Sequence, residues 1–184
     1  MTEDWINSLP CRALSLWQPW ATLVALGAKR IETRRWRTSY RGPLVIHATR
    51  KLPPEAASLA DEHDMYIQAL DGRPSWSLPL GCLLATCILV DVIPTATLLR
   101  STANRTPELD AKIRATLRFV GKSTAQCDEA LTRATLTEQE FEFGDYREGR
   151  YAWLLDDIVR LPHPITCRGR QRLFDWRTSG GCSP

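Results

Sequence analysis

The chain has 184 residues, of which 43% are hydrophobic and 24% are charged. This composition excludes a disordered chain, a collagen-like chain and a coiled coil, and it suffices for one globular domain. The formal net charge of +3 by itself argues against a nucleic-acid-binding protein. Of the 24 basic residues, however, 20 are arginines, whose guanidinium groups suit phosphates and base edges. A GC-rich coding bias would give the same excess of arginine. The positions of the arginines must therefore decide whether the excess indicates nucleic-acid binding.

The sequence contains no recognisable targeting, membrane or metal signal. Residues 1–5 are acidic and lack an apolar core, which predicts a cytoplasmic protein, or a nuclear one in a eukaryote, and not a secreted one. The longest apolar stretch, residues 80–93, is too short to span a bilayer, so we expect no membrane partner. The six cysteines form no CxxC pair, and no histidine stands at zinc-finger spacing. We therefore expect reduced thiols, no metal and no cofactor.

The first predicted elements are a strand, a short helix and a second strand. Alternating apolar residues predict a strand over 11–17, and Pro19 and Gly27 bound the helix that follows. Residues 29–36 alternate charged and uncharged side chains. This pattern predicts a strand that is exposed or lines a groove.

The middle of the chain predicts two further strands and a helix. An apolar strand over 43–49 precedes a helix that begins at Pro53–Pro54 and continues through Leu70. The run 80–93 is rich in Cys, Val, Ile and Leu and is bounded by prolines, which predicts the central strand of a sheet.

The remaining elements decide the predicted fold class. Residues 95–135 show a weak helical pattern and are interpreted as a helical insertion or a flexible excursion. Strands are predicted over 151–161 and within 165–176. Because five or six strands do not alternate regularly with helices, we expect an α+β fold, a small mixed β-barrel with peripheral helices. We expect one domain over residues 1–184, with the insertion at 95–135.

Charge is unevenly distributed along the chain. In residues 29–51, eight basic residues against one glutamate give +7, and in 168–177 four arginines against one aspartate give +3. In residues 128–157, nine acidic residues against three arginines give −6. Arginines interleaved with aromatic side chains are typical of proteins that bind single-stranded or flipped-out nucleotides. The alternative is a solvated basic face with the tryptophans in the core.

Three linked motifs resemble a known family. They are S-x-x-Q-P-W-A over 15–21, G-x-K-x-x-E-x-R-x-W over 27–36 and R-G-x-L-x-I-x-A over 41–48. Together they resemble the activating signal cointegrator homology (ASCH) family of the PUA-like superfamily. The resemblance covers residues 11–93 and 141–176.

The resemblance implies both a fold and a class of ligand. It implies a PUA-like β-barrel whose cleft carries the Q-P-W-A helix and the K-x-x-E-x-R strand. Members are proposed to bind RNA or DNA, some small bacterial members hydrolyse N4-acylated cytidines, and one is reported as a ribonuclease.

The K-x-x-E-x-R strand is the centre of the predicted site. In an extended strand Glu32 and Arg34 lie on one side, where they can pair or jointly read a base. Lys29 lies near the preceding turn and could reach the same cleft. The alternative is a structural ion pair. The full set of predicted nucleic-acid-binding residues is Trp17, Gln18, Lys29, Glu32, Arg34, Arg35, Trp36, Arg41, Arg168 and Gln171.

Two other functions stay open at this stage. In an enzyme acting on a modified nucleoside or on RNA, Lys29, Glu32 and His47 would be the acid–base groups, although His47 also suits a structural role. In the hydrolytic relatives a threonine stands three residues after the lysine, whereas here that position is Glu32, so binding is favoured over catalysis. A third function is an adaptor whose acidic residues 128–157 contact a protein partner.

Overall fold

The structure is a computed structural model that describes residues 4–101, 107–133 and 136–178. Six strands form one mixed sheet in the order β2-β5-β4-β3-β1-β6. The strands are β1 (Arg12–Leu16), β2 (Ile31–Arg34), β3 (Gly42–Ala48), β4 (Cys82–Pro94), β5 (Tyr151–Thr166) and β6 (Leu173–Asp175). The helices are α1 (Asp4–Asn7), α2 (Trp20–Ala25), α3 (Pro54–Glu62), α4 (Asp64–Ala69), α5 (Thr95–Ser101), α6 (Pro107–Phe119), α7 (Thr124–Arg133) and α8 (Glu138–Glu142).

The strand register explains which residues meet at the strand ends. β1 runs parallel to β3, with Ser15 opposite His47, and antiparallel to β6. β2 runs antiparallel to β5, with Glu32 opposite Trp153. Because β1 and β3 are parallel, the residues that follow them, Trp17 and Thr49, leave the sheet at the same end. The mixed sheet with surrounding helices confirms the predicted α+β class of a PUA-like domain.

The described residues fall into two compact units, each with its own core. Unit 1 comprises Met1–Ala28, Pro43–Cys87 and Asp157–Pro184, and unit 2 comprises Lys29–Gly42 and Ile88–Asp156. The core of unit 1 contains Ala13, Val45, Leu83, Leu161, Ile165, Cys167, Phe174 and Trp176. The core of unit 2 contains Ile31, Ile88, Val90, Ile93, Leu98, Ile113, Leu117, Cys127, Tyr146, Ala152 and Leu154.

Most predicted elements are confirmed, and two are corrected. The predicted helix over 53–70 is in fact two helices, because His63 has an extended backbone (φ −97°, ψ 115°) between α3 and α4. β2 is shorter than predicted, and it is buried rather than exposed, since Ile31, Glu32 and Thr33 are all buried. Gly27 has φ +74° after α2, as the predicted helix end requires.

The stretch 95–135 is helical where the structure describes it. α6 and α7 contribute Ile113, Leu117 and Cys127 to the core of unit 2. The organisation as one domain with an insertion stays a prediction. No helix among the described residues is long and apolar enough to cross a membrane. The five described cysteines are free, and all except Cys11 are buried.

Candidate nucleic-acid-binding surfaces

Lys29, the first residue of the predicted motif site, is wholly buried in unit 2. Its Nζ donates to the carbonyl of Ile31 at 2.5 Å and to the carbonyl of Phe143 at 2.8 Å. The Glu32 carboxylate lies 3.9 Å from the same nitrogen. Burial lowers the pKa of Lys29, while Glu32 and Glu140 oppose that shift. Because no part of Lys29 reaches solvent, its geometry is that of a residue that holds backbone and carboxylates in place.

Glu140 fixes the start of β2 from the other side. Its carboxylate accepts hydrogen bonds from the backbone N–H groups of Arg30 and Ile31, the latter at 3.2 Å. Burial raises the pKa of Glu140, and Lys29 and these two N–H groups oppose the rise. The sequence analysis missed this residue, because only the folded chain brings α8 next to β2. The S/T-x-x-E capping pattern, Thr137 to Glu140, predicts a helix start but not this contact.

Glu32 and Arg34 share one side of β2, as the strand period predicts. Arg34 Nε lies 3.0 Å from Glu32 Oε1, and the arginine side chain is 25% exposed against 11% for the glutamate. The structural ion pair considered above is therefore present. Arg34 is the member of the K-x-x-E-x-R motif whose side chain reaches solvent most.

Thr33 lies in a separate set of contacts on β2. Its Oγ1 accepts from the backbone N–H of Asp145 at 3.0 Å, and its carbonyl accepts from Arg150 at 3.3 Å. Asp145 also pairs with Arg147 at 2.6 Å and Arg150 at 3.0 Å. The hydrogen bonds from Arg147 are the main cause that lowers the pKa of Asp145 to about 2. The Thr33 hydroxyl thus anchors the loop after α8.

The other predicted residues of unit 2 divide between packing and exposure. Trp36 is half-buried against Trp153, with ring centroids 4.6 Å apart and an interplanar angle of 78°, so it supports the core. Arg41 donates to Asp91 at 2.6 Å and 2.9 Å and to two backbone carbonyls, so its guanidinium is already engaged. Arg35 and Arg37, by contrast, are exposed. The exposed basic surface of residues 29–42 in unit 2 is thus smaller than the count of +7 over residues 29–51 suggests, since Arg50 and Lys51 of that window belong to unit 1.

In unit 1, one tryptophan of the S-x-x-Q-P-W-A motif, Trp17, lies at the surface. Gln18 is fully buried; its Oε1 accepts from Thr22 N at 3.0 Å, and its Nε2 donates to the Pro79 carbonyl at 2.7 Å. Trp17 is 53% exposed, and its carbonyl accepts the first hydrogen bond of α2 from Ala21. Gln18 is therefore a positioning residue, and Trp17 carries the accessible ring.

His47 organises the neighbouring strand ends of unit 1. Its Nε2 lies 3.1 Å from the Cys167 carbonyl, which only accepts, so Nε2 carries a proton. Its Nδ1 lies 3.1 Å from Ser15 Oγ, and the Ser15 hydroxyl in turn donates to the Arg170 carbonyl at 2.9 Å. Burial lowers the pKa of His47, and Arg50 lowers it further. The structural role that the sequence analysis weighed for His47 is thus present in the structure.

Exposed basic side chains surround this end of unit 1. Thr49 N donates to Leu16 O at 2.9 Å, and Cys167 N donates to Gly81 O at 2.9 Å, so the four segments that carry these groups meet here. Exposed polar side chains on these segments include Arg50, Lys51, Arg168, Arg170, Gln171 and Arg172. Arg168 and Gln171 were predicted as site residues. Arg50 and Arg170 were missed, because only the parallel pairing of β1 with β3 and the contact of Ser15 with the Arg170 carbonyl bring their segments to the end of unit 1 where Trp17 lies.

Two glycines let these segments approach each other closely. A Cβ on Gly169 would lie 2.2 Å from the Cε1 atom of His47, and one on Gly81 would lie 2.7 Å from the Cγ atom of Arg50. The backbone of Gly169 thus contacts the imidazole ring, and the aliphatic part of Arg50 lies over Gly81. These contacts hold the basic loop and Arg50 on the same end of the sheet.

Part of the acidic stretch 128–157 is used inside unit 2. Asp145 pairs with two arginines, Asp156 pairs with Arg30 at 3.5 Å, and Asp128 pairs with Arg114. Glu140 is buried as well, whereas Glu138, Glu142, Glu148 and Asp157 are exposed. The predicted protein contact through this stretch stays a prediction. Among the residues that the structure describes, no His, Cys, Asp or Glu group is arranged to hold a metal ion.

Comparison with known proteins agrees with this fold and these motifs. A family model described as the ASCH domain matches residues 14–147, which is more than half of the chain, so the chain belongs to the ASCH domain family. The family is generally related to RNA binding. The chain is also 40% identical over 81 residues to activating signal cointegrator 1 of Homo sapiens and of Mus musculus. The aligned part is 44% of this chain and 14% of each relative, so the chain spans a small part of their length.

Replacing Lys29 with methionine tests whether the buried ammonium stabilises unit 2. The Lys29→Met variant leaves the carbonyls of Ile31 and Phe143 without their donor and removes the positive charge near Glu32 and Glu140, so we expect the free energy of unfolding to fall by about 3 kcal/mol. Urea denaturation measures this loss. Arg37→Met is the matched control, since it removes one exposed charge from the same unit. Equal stability of the two variants would contradict the structural role of Lys29.

Adding a methyl group at Gly169 tests the contact with His47. Gly169→Ala should lower the free energy of unfolding by about 2 kcal/mol, because the His47 ring is buried and its Nε2 donates to the Cys167 carbonyl, which keeps the ring from moving aside. In a His47→Ala background the same change should cost much less, since the clashing ring is absent. Thermal or urea unfolding of the four proteins gives this double-mutant cycle. Purely additive losses would show that the ring does not limit the space at Gly169.

Proposed function

We propose that this chain is an ASCH module that binds RNA or single-stranded DNA. The observation that carries the proposal is the exposed ring of Trp17 at the end of unit 1 whose hydrogen-bonded segments also carry the exposed Arg50, Arg168 and Arg170. Exposed aromatic rings stack on unpaired bases, and arginines beside them contact the phosphates that connect those bases. Family membership supports the same class of ligand.

The geometry favours an unpaired strand over a duplex. The bases of a duplex are stacked inside it, so a surface ring such as Trp17 cannot reach their faces, whereas a single strand exposes both faces of each base. Hydrogen bonds of Gln18 with the Pro79 carbonyl and Thr22 N hold the backbone next to Trp17, so little freedom of this segment is lost on binding. Unit 2 by itself also presents basic side chains, since Arg35 and Arg37 are exposed and Arg34 is partly exposed.

The buried members of the predicted site act in this proposal by positioning. Lys29 and Glu32 hold β2 and orient Arg34, Gln18 holds Trp17, and His47 holds the loop that carries Arg170. The same placements give little support to the hydrolytic alternative. Lys29 has no exposed surface, and the Thr33 hydroxyl is engaged with Asp145 N.

Oligonucleotide titration tests the proposed stacking on Trp17. We expect Trp17→Ala to weaken binding of a short fluorescent RNA or single-stranded DNA by about tenfold, because one stacked base is worth roughly 1–3 kcal/mol. Since Trp17 carries no charge, the salt dependence of the affinity should stay unchanged. Fluorescence anisotropy at a low and at a physiological salt concentration measures both quantities. Trp76→Ala, which removes another exposed tryptophan of unit 1, is the control and should keep full affinity.

The arginines should change the salt dependence instead. Each of Arg50→Ala and Arg168→Ala should weaken binding to all sequences and lower the slope of log affinity against log salt by about one. Arg160→Ala removes an exposed arginine of unit 1 on β5 and should leave the slope unchanged. Absence of binding at low salt would contradict the proposed function, and an equal effect of all three variants would reduce it to non-specific charge attraction. Turnover of N4-acetylcytidine or of RNA would instead favour the hydrolytic alternative.

A further inference from the structure

Trp76 is a second exposed tryptophan of unit 1, and the nucleic-acid proposal does not use it. Its side chain is 83% exposed, whereas its neighbour Ser75 is buried. It stands in a single 3₁₀ turn, Ser75–Ser77, between α4 and β4. An indole ring is large and apolar, so leaving it in water costs stability that burial elsewhere would recover. Tryptophan is also among the residues most enriched at the energetic centres of protein interfaces.

The turn that carries Trp76 is held rigidly. The Asp61 carboxylate accepts from Ser75 N and from Ser75 Oγ, both at 2.7 Å, and Ser77 Oγ donates to the Pro74 carbonyl at 2.8 Å. These hydrogen bonds of Ser75 lower the pKa of Asp61, so the carboxylate stays ionised at neutral pH. The ring is thus presented by an ordered backbone, which reduces the entropy that a partner must overcome on binding.

The segment that carries Trp76 is acidic, whereas the exposed side chains at the end of unit 1 with Trp17 include several arginines. Residues 54–79 carry five carboxylates against one arginine, a net charge of −4, in a chain whose total is +3. Asp61 contacts the turn directly, Asp71 pairs with Arg73 at 3.1 Å, and Glu62 is exposed on the last turn of α3. Phosphates are repelled by such a segment, whereas ammonium and guanidinium groups are attracted to it and to the face of an indole ring.

We propose that Trp76 and the acidic segment 54–79 form a docking surface for a lysine- or arginine-bearing segment of a protein partner. A cation of the partner lies over the indole ring, and exposed carboxylates such as Glu62 and Asp71 attract its other basic groups. The ring supplies the contact that discriminates partners, and the carboxylates supply attraction that salt weakens. This surface is independent of the nucleic-acid proposal, since it uses other residues and the opposite charge.

The indole N–H resonance of Trp76 gives a direct test. In a proton–nitrogen spectrum this signal is identified as the one that is missing from Trp76→Ala. Titration with a short lysine–arginine peptide should shift it, and a glutamate-rich peptide of equal length should not. Trp76→Ala should weaken binding of the basic peptide by about fivefold. Glu62→Gln with Asp71→Asn should also weaken it and lower its salt dependence, while Asp61 is kept because it holds the turn.

Each outcome of the titration decides the proposal. A shift with the basic peptide alone, reduced in the two variants, supports it. No shift with the basic peptide, or an equal shift with the acidic peptide, overturns it. A shift with a single-stranded oligonucleotide would show that Trp76 belongs to a nucleic-acid surface, and a shift on raising the protein concentration alone would show contact between copies. The Trp76→Ala variant keeps Trp17 and the arginines. Its affinity for an oligonucleotide can therefore be measured independently of its affinity for the basic peptide.

Discussion

The buried ammonium group of Lys29 is the constraint on which unit 2 depends. A charge removed from water is tolerated only where hydrogen bonds and opposite charges replace its hydration. Here two backbone carbonyls accept from Nζ, one of them on Phe143 after α8, and Glu32 and Glu140 supply the opposite charge. Glu140 in turn bonds the backbone at the start of β2. The strand, the helix and the ion pair at the surface therefore share one set of contacts, and disturbing one of them affects the others.

The K-x-x-E-x-R motif consequently contains residues with different tasks. Lys29 is wholly buried, Glu32 lies at the boundary, and Arg34 is the most exposed of the three. Unit 1 likewise combines buried and exposed residues, but with different side chains. Gln18 and His47 are buried and hydrogen-bonded, while Trp17 is exposed. A motif that is read as a ligand site thus includes the side chains that build the site and the fewer side chains that a ligand can reach.

Local sequence patterns correctly predicted the features that depend on neighbouring residues, namely strands and the side of a strand on which a residue lies. The strand period placed Glu32 and Arg34 together, and the apolar run 80–93 became β4 with little change. No glycine or proline stands at His63, where the structure separates α3 from α4. The sequence pattern therefore predicted one continuous helix across this position. Contacts between distant segments were not predictable. Glu140 reaches β2 only after α8 packs there, and the segments that carry Arg50 and Arg170 come to the same end of unit 1 as Trp17 only through the parallel β1–β3 pair and Ser15. Of the two alternatives for β2, the exposed strand was wrong, because Ile31, Glu32 and Thr33 are buried together with Lys29.

The net charge of the whole chain is a weak guide to its ligands. The two exposed tryptophans of unit 1 lie on parts of the chain with charges of opposite sign. Trp17 lies at the end of unit 1 whose segments carry exposed arginines, whereas Trp76 lies in a segment of net charge −4. The two rings offer the same apolar surface, so the sign of the surrounding charge decides whether a polyanion or a polycation approaches each of them. Attraction over a distance of about a Debye length, roughly 8 Å at physiological salt, acts before any ring contact forms. One compact unit can therefore present two aromatic surfaces without competition between their ligands.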